Sequence, residues 1–342
     1  MHDHGFHALN VAQVAAETES AVSIAFDVPP ELHATFAYSP GQFLNIRRIV
    51  NGKVRMRCYS LCSSPQLGEP LRIAVKRVEG GLVSNDLCSA IRPGDTIEVQ
   101  PPAGNFVPSS LDGDFLLFAG GSGITPVLSI LKSALATGHG KVTLVYANRD
   151  DRAVIFKDAI AALVNAHPSR LVVLHWLETV QGRPQVATLA ELVKPWAAAE
   201  AFICGPEPFM VSVTQALTTL GVDGRRIHLE RFVSLPDEVV APPIDAAAPD
   251  APMVELRVAI DGDVRELQWP PSDKLLDTML AAGIDAPYSC QVGGCSACMC
   301  RVKGGKVRMA SNLVLTDAEI AAGWTLACQT YPASEAVEIE IV

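Results

Sequence analysis

No apolar run in this 342-residue sequence approaches the ~18 residues that a bilayer-spanning helix requires, so no transmembrane span is expected. The opening stretch, MHDHGFHALN, lacks a basic segment followed by an apolar one, and no secretory leader is read there. Positive charge is also scarce: 27 Lys and Arg stand against 37 Asp and Glu, a net charge of −10. A general nucleic-acid binder needs a basic stripe to neutralise phosphates, so the charge argues against that class. Charged residues reach only 19% while hydrophobic ones make up 49%, which allows buried cores and argues against general disorder. The expected location is the cytoplasm, and the length suits two or three domains at roughly 100–200 residues each.

The charge is unevenly spread. Residues 1–232 carry 20 bases and 21 acids, residues 233–252 four acids and no base, and residues 253–342 seven bases and twelve acids. The acidity therefore concentrates in the last third, either as a solubilising surface or as a docking face for a basic protein partner. Residues 233–252, VSLPDEVVAPPIDAAAPDAP, hold five prolines and five alanines and read as a semi-extended tether.

Up to residue 107, short β-rich runs such as FLNIRRI, LRIAVKRV and DTIEVQPP are broken by Pro and Gly, which predicts a small antiparallel barrel. From residue 108 to 232 the rhythm changes. The runs FLLFA (115–119), KVTLVYA (141–147), RLVVLHWL (170–177), AFIC (201–204) and RIHLERF (226–232) alternate with helical stretches, which predicts a doubly wound parallel α/β sheet. Residues 253–342 open with two strand-like runs, VELRVAI and VRELQW, then a short helix, KLLDTMLAAG, a cysteine-bearing loop and a last strand, VEIEIV, an α+β pattern.

Nine cysteines without a sign of secretion point to metal or redox chemistry rather than disulfides. Cys290, Cys295, Cys298 and Cys328 form C-x4-C-x2-C-x29-C, the plant-type ferredoxin spacing for a [2Fe–2S] cluster. Gly293, Gly294, Ser296 and Ala297 are small enough to let backbone N–H groups approach the sulfurs. Four cysteines could also hold zinc, but structural zinc usually uses paired C-x2-C knuckles, and one such pair exists here. Cys300 reads as a packing residue outside the ligand set.

Gly120-Gly121-Ser122-Gly123-Ile124-Thr125-Pro126 lies between a strand and a helix, where glycines admit a ligand to the backbone and the helix start favours negative charge. Thr125 is expected to cap the helix, with Pro126 at its first position. Cys204-Gly205-Pro206-Glu207-Pro208-Phe209-Met210 joins a second strand end to a second helix start. Both loops are expected at the carboxyl edge of the sheet, where dinucleotides bind, although either alone is also an ordinary packing turn. In the barrel, Arg57-Cys58-Tyr59-Ser60 offers a guanidinium for phosphate, a ring to lie on a flat ligand and a hydroxyl for its edge, and the same residues also fit a turn with a buried Tyr. Gly81-Leu82-Val83-Ser84 adds candidate backbone donors at a helix start. His2, His4 and His7 read as part of a frayed tail. Cys58 and Cys62 read as packing residues rather than a disulfide.

In this order the motifs resemble the ferredoxin–NADP reductase superfamily. Within it the chain is similar to the oxygenase reductases that carry a C-terminal plant-type ferredoxin domain. RCYSLCSSP, GNFVP, YANRDDRAVIF and KLLDTMLAAGIDAPYSC are similar to the reductases of 3-ketosteroid 9α-hydroxylases, and HLERF and LACQ also to those of phenylacetyl-CoA epoxidases. The resemblance implies FAD in a six-stranded barrel, NADH on the α/β domain, the cluster at the C-terminus and a terminal oxygenase as partner. It places Arg57, Cys58, Tyr59, Ser60, Lys76, Gly81, Val83, Ser84 and Phe232 at the flavin. It places Gly120, Gly121, Gly123, Thr125, Pro126, Asn148, Arg149, Cys204, Gly205, Pro206, Phe209 and Met210 at the nicotinamide nucleotide. Ser60, Cys204 and Glu230 would stand nearest the hydride step, with Cys204 packing rather than attacking. Phthalate-type reductases share R-x-Y-S but use FMN. Relatives usually have Arg-Glu where this chain has Gln291 and Val292, and glycine in place of Ser296. NADH over NADPH is expected because Asp150 and Asp151 would repel a 2′-phosphate, with Arg149 arguing the other way. The competing functions are a free-standing flavin, quinone or ferric reductase and a non-enzymatic redox sensor.

Overall fold

The structure is a computed structural model that describes residues 5–232, 252–260, 262–288 and 290–341. The expected tether at 233–252 lies almost wholly outside the described residues, as do His2 and His4. The chain divides after Phe232 into two compact units.

The first unit begins with six antiparallel strands: β1 (His7–Thr18), β2 (Ala21–Asp27), β3 (Phe43–Val50), β4 (Lys53–Ser60), β5 (Arg72–Lys76) and β6 (Thr96–Val99). They pair in the order β4-β3-β6-β1-β2-β5. A bridge between Leu61 and Ile73 joins the two edges and closes the barrel. Alternation puts Leu9, Val11, Ile24, Phe26, Leu44, Ile46, Ile73 and Val99 inside, each at most 2% exposed. Helix α1 (Leu82–Ser89) plugs one end with Val83 and Leu87. His7 is not frayed: it pairs with Val99 and meets the edge of the Phe36 ring, because β1 reaches further toward the N-terminus than its composition suggests.

The five parallel strands that follow are β7 (Phe115–Gly120), β8 (Val142–Asn148), β9 (Leu171–Leu177), β10 (Glu200–Cys204) and β11 (Ile227–Glu230). Helices α2 (Ile124–Thr137), α3 (Lys157–Ala166), α4 (Glu178–Gln181), α5 (Val186–Val193) and α6 (Glu207–Thr219) connect them. The order β11-β10-β7-β8-β9 makes β7 the centre, and all six of its residues are buried. The chain leaves β7 toward β8 and β9, then returns to place β10 on the other side. The carboxyl ends of β7 and β10 therefore sit side by side, with Cys204 in register with Ala119. This is the switch point at which open α/β sheets bind ligands.

The second unit has a mixed sheet of β12 (Val254–Ile260), β13 (Asp263–Trp269), β14 (Met299–Gly304), β16 (Trp324–Leu326) and β18 (Ala336–Ile341), and a ribbon of β15 (Val307–Met309) with β17 (Thr330–Pro332). Helices α7 (Leu275–Ala281) and α8 (Asp317–Ala321) complete it. Its core holds Trp269, Leu275, Met279, Leu326 and Ile339, together with Cys300, whose burial pushes the thiol up to about 12.

Candidate functional site

The two glycine loops touch. A Cβ on Gly120 would lie 2.7 Å from Pro206 Cδ, and one on Gly123 would lie 2.2 Å from the Cys204 carbonyl oxygen. A Cβ on Gly205 would meet Gly120 Cα at 2.9 Å. These three glycines therefore serve the approach of loop to loop, and Gly123 and Gly205 do so without lining the cavity described below. Gly121 differs: its φ of +53° is left-handed, and it lines the cavity described below. Thr125 is not the helix cap. A 3-10 turn over Gly121–Gly123 runs directly into α2 with Gly123 already helical, so no extended residue is left to cap it. The Thr125 hydroxyl instead donates to the Ser122 carbonyl at 3.0 Å, and Pro126 occupies the third helical position.

A cavity of about 680 Å³ opens at this edge. Of the expected nucleotide residues, Gly120, Gly121, Asn148, Arg149, Pro206 and Phe209 line it, joined by Lys76 from the expected flavin group. Gly123, Thr125, Pro126, Cys204, Gly205 and Met210 are not in its walls. Cys204 is fully buried and Met210 packs in the core beneath α6. Asn148 is 7% exposed, and its side-chain amide has no partner of good hydrogen-bond geometry among the described residues. Asn148 ends β8 at the carboxyl edge of the sheet, beside the left-handed Gly121 turn and the start of α2, and an edge of this kind fits a nicotinamide nucleotide. Lys76 and Ser20 come from the barrel, so the cavity is shared by barrel and sheet. Burial and nearby Arg149 lower the Lys76 ammonium from its usual range.

Residue-by-residue reading missed Tyr146, Glu178 and Arg183. Tyr146 is fully buried on β8; its hydroxyl donates to the Gly121 carbonyl at 3.0 Å and accepts from Ile155 N–H at 3.2 Å. One phenol thus props the left-handed turn, a role hidden in a strand whose pattern reads as apolar. Tyr146→Phe is expected to raise the apparent KM for the reduced nicotinamide nucleotide by roughly three- to tenfold, with about 1 kcal/mol lost in stability. Steady-state kinetics and thermal melting check both. Glu178 and Arg183 line the cavity and pair with each other at 3.0 Å. The acids expected to repel a 2′-phosphate are used elsewhere: Asp150 Oδ1 accepts from the N–H groups of Arg152 and Ala153, and Asp151 pairs with Lys157. Neither lines the cavity, because the chain turns sharply after Asn148.

The flavin motif ends strand β4. Arg57 pairs with Ile46, Cys58 with Asn45, Tyr59 with Leu44 and Ser60 with Phe43. Arg57 and Tyr59 share one face of the strand, while Cys58 and Ser60 share the other. Burial raises the Tyr59 phenol above its ordinary range, so it remains a hydrogen-bond donor. Gly81 begins α1 with no side-chain cap, and a Cβ there would lie 2.6 Å from the Ser84 hydroxyl. That uncapped helix start suits a diphosphate. The Val83 side chain packs in the barrel core, so only its backbone N–H is available to a ligand. Phe232 is 46% exposed. Glu230 is the last residue of β11, in register with Cys204, and burial pushes its carboxyl up to about 8. Burial and the nearby Glu230 carboxyl raise the Cys204 thiol, which removes it as a thiolate nucleophile.

In the second unit the four expected ligands are at most 7% exposed. Among the described residues no three metal-binding side chains converge as one ion would need. The four thiols gather in one place, Cys290 beside Cys295 and Cys298 beside Cys328. Four thiols gathered from one tight loop and one distant turn fit a two-iron cluster. The N–H groups of Val292 and Gly294 point to the Cys290 sulfur at 3.5 and 3.3 Å, the arrangement that favours bound thiolates. Gln291 and Ser296 take left-handed φ of +56° and +50°, and Ser296 Oγ donates to the Cys295 carbonyl. Gln329, 2% exposed, donates to the Gln291 and Cys328 carbonyls and so ties the long loop to the last ligand.

Comparison with known proteins agrees with this layout. An oxidoreductase FAD-binding domain model matches residues 9–107, an oxidoreductase NAD-binding domain model residues 117–215, and a 2Fe-2S iron-sulfur cluster binding domain model residues 258–333. The chain is 50% identical over 339 residues to the ferredoxin reductase component of 3-ketosteroid-9-alpha-monooxygenase from Rhodococcus rhodochrous, covering 97% of this chain and 96% of that one. It is 37% identical over 351 residues to a component of the 1,2-phenylacetyl-CoA epoxidase from Escherichia coli, covering 98% and 97%. Phthalate dioxygenase reductase shares the fold, with a TM-score of 0.60 at 24% identity over 98% of both chains. No helix among the described residues is long and apolar enough to cross a membrane. The chain is an oxidoreductase with FAD-binding, NAD-binding and [2Fe–2S] domains, and it belongs to the family of oxygenase reductases that includes the ferredoxin reductase components of 3-ketosteroid-9-alpha-monooxygenases.

Proposed function

We propose that this chain takes a hydride from NADH and delivers single electrons to the terminal oxygenase of a multicomponent monooxygenase, of the type acting on 3-ketosteroids. The observation that carries this is the shared cavity, where Lys76 of the barrel meets the two nucleotide loops of the sheet. Flavin is the group that accepts a hydride and releases electrons one at a time. In this reading Arg57, the N–H groups of Gly81 and Val83, and Ser84 hold the diphosphate of FAD. Cys58, Tyr59, Ser60 and Phe232 surround the ring, with Lys76 at its margin. Gly121, Asn148, Arg149, Pro206 and Phe209 hold the nicotinamide nucleotide. Gly120 joins them in the cavity wall, and Gly123, Thr125, Pro126, Cys204, Gly205 and Met210 support that surface from behind. Glu230 and Cys204 exclude water near the transfer and give up no proton to it. Cys290, Cys295, Cys298 and Cys328 hold the cluster. We assign residues 1–107 to the flavin domain, 108–232 to the nucleotide domain, 233–252 to a linker and 253–342 to the ferredoxin domain.

The test is the anaerobic visible spectrum before and after NADH. Flavin bands with a broad reddish absorbance, both bleaching quickly, are the expected result. A flavin-only spectrum from intact protein would overturn the cluster reading, and no bleaching would overturn the NADH reading. Coenzyme choice follows from Glu178, whose carboxylate would face the phosphate that distinguishes NADPH. Glu178→Gln removes that charge and frees Arg183, so the kcat/KM ratio of NADH to NADPH is expected to fall about fivefold. An unchanged ratio would clear Glu178 of that role.

A further inference from the structure

Helix α2 rises from the nicotinamide loop, and one of its faces presents Ser129, Lys132 and Ser133, spaced i, i+3 and i+4. That face reads the backbone immediately after the flavin motif. Ser129 Oγ donates to the Ser63 carbonyl at 2.6 Å, and the hydroxyls of Ser133 and Ser64 are 2.8 Å apart. Lys132 Nζ donates to both carboxylate oxygens of Glu69, at 3.0 and 2.9 Å, and to the Cys62 carbonyl at 3.4 Å. Glu69 in turn accepts from Ser64 N–H at 2.8 Å. Ser63 Oγ accepts from the Tyr38 hydroxyl at 2.7 Å and from Arg72 N–H at 3.1 Å. Ser63, Ser64, Ser129 and Ser133 are all at most 1% exposed.

Adhesion alone does not require this seam. Ala21, Cys62, Ala74 and Phe106 of the barrel side already share one apolar cluster with Leu117, Val127, Ile130 and Leu131 of the sheet and helix. Apolar contact is non-directional and tolerates sliding. A buried polar seam does not, because any other register would leave the buried serine hydroxyls and carbonyls unpaired and would break the partly exposed Lys132–Glu69 pair. The seam begins two residues beyond Ser60 on one side and rises from the Gly120–Gly123 loop on the other. We propose that Ser129, Lys132 and Ser133 are positioning residues that, through residues 62–69, set the nicotinamide loop against the flavin motif and thereby the rate of hydride transfer. This rests on the NADH-to-flavin reading above.

The test is anaerobic stopped-flow bleaching of the flavin at saturating NADH, in the full-length, cofactor-loaded protein. Two variants are compared with the wild type: Ser129→Ala with Ser133→Ala, and Lys132→Met. Small misplacements of reacting groups are costly, so the limiting rate is expected to fall roughly 10- to 100-fold, with the apparent Kd for NADH changed less than about threefold. Any long-wavelength nicotinamide–flavin absorbance should weaken, and Lys132→Arg should recover most of the rate. Limiting rates within about twofold of wild type, despite lower melting temperatures, would make the seam merely adhesive and overturn the proposal. Loss of FAD from both variants would also overturn it, because the seam would then hold the flavin rather than align it. Failure of the wild type to bleach would instead overturn the underlying function.

Discussion

Cys328→Ser should strip the iron–sulfur absorbance from the protein while its flavin remains reducible by NADH. Three of the four proposed ligands lie on one loop, but Cys328 comes from the turn between β16 and β17, about thirty residues further on. It is the clasp between that loop and the sheet, and Gln329 beside it holds the Gln291 carbonyl. Loss of an outer-shell partner already costs roughly 10- to 100-fold in metal affinity, and loss of a thiolate ligand costs more. Iron and sulfide should therefore fall to near zero. NADH-driven electron delivery to the oxygenase should drop by at least about 100-fold, while flavin content is kept. Because metal binding is coupled to folding, the second unit should also melt earlier than the first, a separation that calorimetry reads directly. Full retention of iron in Cys328→Ser would sink the four-thiolate assignment.

The second large effect is expected at Gly123. A Cβ there would stand 2.2 Å from the Cys204 carbonyl oxygen and 2.7 Å from Gly205 N. Both obstacles are backbone, so nothing flexible can swing aside. Gly123→Ala must push the two loops apart at the switch point, at a cost of about 3 kcal/mol. The same displacement widens the nucleotide cavity, and kcat/KM for NADH should fall by roughly two orders of magnitude while FAD stays bound. Gly121→Ala makes a useful contrast. Its nearest obstacle is the mobile end of Lys76, at 3.4 Å, so its cost comes from a left-handed φ of +53° and should be nearer 1 kcal/mol. Equal losses in the two variants would refute the close-packed-loop account.

The legible parts of this protein were those in which local chemistry demands particular residues at particular spacings. Cluster spacing is one: four thiolates around two irons need a tight loop and a distant fourth ligand. Strand and helix rhythm is another, since periods of two and 3.6 follow from backbone geometry alone. Thr125 shows where such reading stops. Its sequence suits a cap, yet the cap depends on whether the preceding turn is extended or already helical, which neighbouring loops decide. Asp150 and Asp151 teach the same lesson: the charges were visible, but the direction each carboxylate faces depends on which backbone N–H groups the turn leaves open.

By itself the sequence determined the three-domain order and offered a ferredoxin-like cysteine spacing, because period and motif spacing are local properties, while FAD and NADH followed from the resemblance of its motifs to a known family. Only the tertiary structure decided that Gly120, Gly123 and Gly205 serve loop-to-loop packing, that Tyr146 props the nucleotide loop, and that Glu178 rather than Asp150 meets the cavity. It alone brought Ser129, Lys132 and Ser133 onto residues 62–69. These pairings join segments far apart in the chain, and contact between distant segments is set by how the sheets and helices pack, which no short pattern encodes.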